Sequence, residues 1–317
     1  MVELPLRNSF DAFSARGLSA FVRTNQVEII HAHMARDYPI AAYAAARNHG
    51  TALVVTRHVL FPLSRLHKVT MSRVARVIAV SNAVAKQLTR EGIVRHDRIA
   101  VIPNGISIER FDNVLRKFDR NEFLDSWKLP KTSLLVGIVG ELKPLKGQEE
   151  FLRAASEIAK AVPDSRFIVA GIDNARDQKH RRHLQQLTAS LGLADRVLFI
   201  DWLQEIAELY CALDVLVSAS HTESFGLAIA EAMACYTAVV ATKTEGAMEI
   251  LKGGGSGILV PIGDVSALSA TVTMLLRNED RRRLLAEGGA ETVRERFSLE
   301  RMVTATEQIY LDVLQSA

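Results

Sequence analysis

Cysteine is nearly absent from the 317 residues: only Cys211 and Cys235 occur, with no Cys-x-x-Cys pair and no Cys/His cluster. A disulfide-stapled scaffold and a zinc-ribbon-type site are therefore excluded. Both thiols are expected to sit reduced in apolar segments of a cytosolic protein that holds no metal. Long hydrophobic runs are missing too. None exceeds about eight residues, against the roughly 20 that span a bilayer. The opening MVELPLRNSF lacks the charged-then-apolar layout of a signal peptide. The expected location is the cytoplasm, at most peripheral at the inner face of the membrane. Acidic residues are absent between Asp37 and Glu91, where Arg47, Arg57, Arg65, Lys68, Arg73, Arg76, Lys86 and Arg90 all fall. Residues 1–110 carry a net +8 and residues 111–317 a net −5. Such a field on the first part attracts an anionic partner. Its basic residues lack interleaved aromatics, which argues against a nucleic-acid platform.

What is present is a repeated strand-then-helix pattern. Apolar runs fall at 27–33, 51–58, 76–81 and 99–104, then at 134–140, 166–171, 197–202, 215–220, 237–242 and 257–260. Near-continuous Val/Ile/Leu runs suit strands covered on both faces. Their alternation with helical patterns points to parallel, doubly wound sheets. At this length two domains are expected. The boundaries read as an acceptor-side domain at 1–107, a connection at 108–132, a second domain at 133–296 and a terminal helix at 297–317. The connecting stretch is expected to be strand-free, with one short helix around 119–128. The terminal segment SLERMVTATEQIYLDVL offers Ser298 as N-cap and an apolar stripe of Leu299, Met302, Val303, Ile309, Tyr310, Val313 and Leu314. It could pack on either domain. The first sheet, with four strands and only VELPL before them, is expected to lack its initial strand or strands.

Ligands of open α/β sheets bind off the carboxyl ends of strands. After the run at 134–140, GELKPLKG places Gly140, Lys146 and Gly147 at the start of the helix QEEFLRAASEIAK. Free backbone N–H groups beside a lysine make a phosphate seat. The spacing matches neither G-x-G-x-x-G nor the P-loop, which argues against a dehydrogenase or an NTPase. A surface lysine beside a turn glycine is the plainer alternative. After the run at 215–220 comes HTESFGLAIAEAMA (221–234), with Glu223 and Glu231 on either side of a Ser224-Phe225-Gly226-Leu227 turn that opens a helix. Glycine lets a backbone approach a ligand closely. Two carboxylates flanking a helix-end anion seat suit the hydroxyls of a sugar nucleotide.

These residues carry a resemblance. HAH (31–33), VVTRH (54–58), VIAVSNAVAKQL (77–88), VIPNGI (101–106), VGELKPLKG (139–147), the stretch 214–234 and GILVPIGD (257–264) occur in the order of family four of the retaining, nucleotide-sugar-dependent glycosyltransferases. The chain is similar to that family over nearly its whole length. The resemblance implies the GT-B fold, two Rossmann-like doubly wound parallel-sheet domains facing a central cleft. It implies Glu231 on the donor's ribose, Glu223 on the transferred sugar, and Lys146 on the diphosphate. Gly140, Glu141 and the Ser224, Phe225, Gly226 and Leu227 backbone would line the donor site. His33 would reach the donor sugar from the first domain, although a buried histidine closing a strand reads equally well. No metal or other cofactor is implied beyond a UDP- or GDP-sugar donor.

The expected activity is transfer to a glycan or lipid-linked, anionic acceptor, as in bacterial cell-surface glycan assembly. The mixed apolar and basic stretch 57–76 suggests contact with an anionic membrane, or else a solvated helix. The chain departs from the family at several points. Glu141 stands where an arginine is usual, with Lys143 nearby as a substitute charge. Cys235-Tyr236-Thr237-Ala238 replaces a Gly-x-Pro, and Glu245-Gly246 replaces a Gly-Gly pair. These departures and the short front leave a second expectation, a nucleotide-sugar-binding protein without turnover. A sugar-nucleotide epimerase would explain the fold and leave the glutamate pair unexplained.

Overall fold

A computed structural model of the chain describes residues 11–64 and 67–315. VELPL and Arg65, both used above, lie outside them. The chain forms two units, residues 1–105 with 300–317, and residues 106–299.

In the first unit α1 (Ala12–Thr24), β1 (Ile29–Ala32), α2 (Tyr38–Arg47), β2 (Ala52–Arg57), α3 (His67–Met71), β3 (Arg76–Ala79), α4 (Asn82–Glu91) and β4 (Ile99–Val101) follow one another. The described strands make a four-stranded parallel sheet in sequence order. Local chemistry sets the boundaries. The Asp11 carboxylate accepts from the N–H groups of Phe13 and Ser14 and starts α1. Ser81 caps α4, and Gly92, at φ +60°, ends it in the left-handed region.

The second unit runs α5 (Ile108–Leu115), α6 (Arg120–Ser126), β5 (Leu134–Val139), α7 (Gln148–Ala161), β6 (Ser165–Ala170), α8 (Lys179–Ser190), β7 (Val197–Ile200), α9 (Ile206–Ala212), β8 (Val215–Ser218), α10 (Leu227–Ala234), β9 (Ala238–Thr242), α11 (Glu245–Ile250), β10 (Ile258–Val260), α12 (Val265–Arg277) and α13 (Glu279–Arg296). Its six parallel strands are ordered β10-β9-β8-β5-β6-β7. The chain winds outward from β5 through β6 to β7, then returns to β8 and winds the other way. The switch point therefore lies between the carboxyl ends of β5 and β8, where a crevice opens in such sheets. Beneath it Phe151 of α7 meets Phe167 of β6 edge-on at 6.2 Å, in a core shared with α12.

Each of the ten apolar runs holds a strand. The connecting stretch differs: it carries two helices, α5 and α6, where one was expected. In α5, Ile108, Phe111 and Leu115 repeat at helical spacing for only two turns, too short a periodicity to stand out. Tertiary burial of Phe111, 2% exposed, makes the helix worthwhile.

The last helix, α14 (Leu299–Gln315), packs within the first unit. Val313 joins Val54, Ile78 and Ile102, with Met302, Ile309 and Tyr310 against them. Val303 is 41% exposed and falls off the expected stripe. Of the thiols, Cys235 is buried and Cys211 half-buried. Among the described residues no helix is long and apolar enough to cross a membrane.

Asp214, at the head of β8, ties the second unit together. Its Oδ2 accepts from Arg120 at 2.7 Å and from the Leu135 N–H at 2.8 Å. Arg282 of α13 lies 3.5 Å from Oδ1. Asp214→Ala strips two arginines and a strand N–H of their shared acceptor. It is expected to destabilise the unit by roughly 3 kcal/mol, read as a lower denaturation midpoint in urea.

Candidate functional site

Two loops meet at the switch point of the second unit. After β5, Gly140 turns at φ +154°, and a 3-10 turn at Pro144–Lys146 delivers Lys146 to the start of α7. After β8, residues 219–226 lead into α10. The loops are joined backbone to backbone, the His221 N–H donating to the Leu145 carbonyl at 2.9 Å. Gly147 lies so close to Ala219 that a Cβ would fall 2.0 Å from the Ala219 oxygen. Gly246 does the same for the second loop: its N–H donates to the Glu223 carbonyl at 3.1 Å. A Cβ there would sit 2.6 Å from the Phe225 oxygen. This explains why one glycine of the expected pair is kept while the other position tolerates Glu245.

The packed loops bring Lys146 and Glu223 into direct contact, Nζ donating to Oε2 at 2.7 Å. Ser220 Oγ donates to the same oxygen at 3.3 Å. Helices α7 and α10 both start at glycines in the left-handed region, Gly147 at φ +71° and Gly226 at φ +109°, and neither has a side-chain cap. Their first N–H groups are thus left to a ligand or to water. Leu227 opens α10 with its side chain 46% exposed. Phe225 is buried edge-on against Phe297, ring centroids 5.4 Å apart, and Ser224 is half-buried beside it.

Glu231 lies one turn into α10, half-buried, its Oε2 accepting from Tyr210 OH at 2.8 Å. Burial pushes its carboxyl above the usual range, against the opposing pull of the Tyr210 hydrogen bond and Arg110. The ionised carboxylate is therefore held at a cost to folding, a cost absent below the unfolded pKa and complete once pH passes the raised folded one. Glu231→Gln keeps an acceptor for Tyr210 and removes the charge. It is expected to raise Tm at pH 7–8, with the gain vanishing toward pH 4.

Glu141, the acid beside the expected anion, is answered locally. Lys143 Nζ donates to its Oε2, and Asn174 Nδ2 to its Oε1 at 3.1 Å. These hold its carboxyl below the usual range. Lys143, read as a substitute phosphate contact, is engaged by this acid. Glu141 also lines a cavity of about 410 Å³ at the carboxyl ends of β5, β6 and β7, with Gly140, Gly171, Asn174, Trp202 and Arg110. Arg110 reaches it from α5, held by Glu205 at 2.7 Å. Tyr210, Arg110 and Trp202 carried no motif signal. Tyr210 and Arg110 join the site because α5 and α9 fold onto α10, whereas Trp202 enters from the loop that follows β7.

In the first unit, His33 follows β1 and is exposed. Its Nδ1 lies 3.1 Å from His58 Nε2. It is His31, inside β1, that is the half-buried strand histidine, bonded to Thr56 Oγ1 at 2.7 Å and Tyr310 OH at 2.5 Å. A groove of about 470 Å³ between α1, α2 and α3 is lined by Ile40, Tyr43, Val69, Arg16 and Arg73. Of these, Val69 is 72% exposed.

A doubly wound parallel sheet with a cation, two carboxylates and two uncapped helix starts at its switch point belongs to the ligand-binding α/β class. Comparison with known proteins narrows this. Residues 119–292 match the family profile "Glycosyl transferases group 1", and residues 2–110 match "Glycosyltransferase Family 4". N-acetyl-alpha-D-glucosaminyl L-malate synthase of Bacillus anthracis is 27% identical over 96% of this chain and 80% of its own length. D-inositol 3-phosphate glycosyltransferase of Thermomonospora curvata is 34% identical over 68% of this chain and 52% of its own. The structure of Anabaena Alr3699/HepE in complex with UDP-glucose superposes with a TM-score of 0.82 at 25% identity, covering 96% of this chain and 82% of that one. The chain belongs to the group 1, family 4 glycosyltransferases, whose GT-B architecture its two parallel-sheet units share.

Proposed function

We propose that this chain is a retaining, metal-independent glycosyltransferase that takes a sugar from a UDP- or GDP-linked donor to an anionic glycan or lipid-linked acceptor. The observation that carries the proposal is the Lys146–Glu223 pair at 2.7 Å between two uncapped helix starts. In this reading the diphosphate sits against the N-termini of α7 and α10, and Lys146 meets the negative charge that grows as the glycosidic bond breaks. Glu223, freed by the incoming anion, turns to the sugar's hydroxyls. Glu231, oriented by Tyr210, accepts from the ribose, and the base enters the cavity beside Gly171 and Trp202. His33 of the first unit meets the donor sugar. The bond from the anomeric carbon to the phosphate oxygen breaks, and the acceptor oxygen attacks the same face. The acceptor's proton passes to the departing phosphate oxygen, which leaves as the nucleoside diphosphate.

An anionic acceptor is supported by the basic field of the first unit, and by two relatives whose names carry malate and inositol 3-phosphate. The groove lined by Arg16, Arg73 and exposed Val69 suits the anionic surface of a membrane. Calorimetric titration with UDP, GDP and ADP, followed by NMR of the product anomer, tests the reading. One nucleotide should bind, and its sugar should transfer with the α or β configuration kept. An inverted anomer would overturn the mechanism. Binding with no transfer to any anionic acceptor would favour the non-catalytic alternative, which the Glu141–Lys143 pair motivates.

A further inference from the structure

An exposed histidine on a loop normally spins about its ring axis and exchanges its two neutral tautomers, leaving neither nitrogen reserved for a ligand. His33 is held otherwise. Its ring lies between His31, with centroids 4.2 Å apart, and His58, stacked at 5.4 Å. The His31 ring is itself immobilised, because Thr56 and Tyr310 take its two nitrogens. Tyr310 belongs to α14, so the far end of the sequence braces this histidine stack. The loop carrying His58 is also anchored: Arg57, buried, donates to the Phe61 carbonyl, and Tyr38 OH donates to the Thr56 carbonyl at 2.8 Å.

The contact between His33 Nδ1 and His58 Nε2, at 3.1 Å, accommodates one hydrogen. Two bare nitrogens would repel, and two N–H groups would clash. The tautomers of the two rings are therefore coupled, and the bond made at one ring nitrogen decides what the other presents. With Nδ1 taken by His58, the remaining nitrogen of His33 is Nε2. Partial desolvation of its ring, together with the neighbouring His33 and Arg57, holds the otherwise solvent-facing His58 below its ordinary pKa, which favours the neutral ring.

We propose that His58 is a positioning residue for His33, fixing its ring and tautomer so that Nε2 alone is offered to the donor sugar. The proposal rests on the reading of His33 as a donor-sugar contact, and the test separates the two. His58 is exposed, so its replacement does not threaten folding. The full chain, labelled with nitrogen-15, would be compared as wild type, His58→Leu and His58→Gln by two-bond proton–nitrogen correlation of the imidazoles, His33 being assigned by its loss in His33→Ala. Wild type and His58→Gln are expected to show His33 in one tautomer, and His58→Leu an average of two. In turnover, His58→Leu is expected to lower kcat by roughly ten- to a hundredfold through lost orientation. Donor KM should hardly move, and His58→Gln should restore most of the rate. A His33 spectrum unchanged by His58→Leu overturns the proposal. So does an unchanged kcat in His58→Leu when His33→Ala is inactive. Full activity of His33→Ala would defeat the reading of His33 itself, leaving the tautomer comparison to judge what His58 does to the ring.

Discussion

Lys146→Met is expected to lower kcat by roughly 10²- to 10³-fold, the loss usual when one preorganised donor to developing charge is removed. The substitution keeps the length and the apolar stem, so packing of the loop against Ala219 should survive. It also leaves the Glu223 carboxylate, 17% exposed, without the ammonium that now sits 2.7 Å away. Glu223 then faces the diphosphate uncompensated, and nucleotide binding should weaken as well. A double variant, Lys146→Met with Glu223→Gln, separates the two effects. Removing the repelling carboxylate should recover part of the nucleotide affinity by calorimetry, with turnover still lost. If the single variant binds nucleotide and turns over like wild type, Lys146 is a surface lysine beside a turn glycine and nothing more.

Gly147→Ala should be among the most damaging single-atom additions in the second unit. At φ +71° an alanine costs about 1–2 kcal/mol in backbone strain alone. Its Cβ would also fall 2.0 Å from the Ala219 oxygen and 2.7 Å from its carbonyl carbon, main-chain atoms of the neighbouring loop that cannot swing aside. Overpacking of this kind adds about 1–3 kcal/mol. Gly263 supplies the control. Its φ is +74°, and a Cβ there meets nothing within 4 Å. Gly263→Ala should show the strain alone, and the excess loss in Gly147→Ala, by urea denaturation, measures the contact between the loops. Because that contact carries Lys146 to Glu223, donor binding should fall with Gly147→Ala and stay unchanged with Gly263→Ala.

Much of the second unit was legible in one dimension because its signals are local. Apolar runs of four to eight residues, each followed by a helical pattern, mark parallel strands whatever they later touch. Gly140, Gly147 and Gly226 announce turns at the ends of such runs, where α/β sheets place ligands. The Glu223–Glu231 spacing puts one carboxylate in the loop and the other a turn into α10, and that is where the structure has them. Other parts left no such trace. Helix α5 has only two turns of periodicity, and its Arg110 enters the cavity wall through the fold of α5 against α9 and α10. Tyr210 reads as an ordinary core aromatic until its hydroxyl is found on Glu231. Lys143 looked like a phosphate ligand because sequence gives its charge and conceals its partner, Glu141.

By itself, then, the sequence determined the alternation of elements, the turns at the carboxyl ends of the strands, and the family to which the chain belongs. All of these follow from short-range periodicity, turn residues and motif order. Tertiary structure decided which groups meet. Lys146 finds Glu223 across 77 positions, and His31 finds Tyr310 across 279. Such pairings depend on how the strands order in the sheet and where the last helix packs. Long-range closure is bought by burial of the whole core, and no local pattern encodes it.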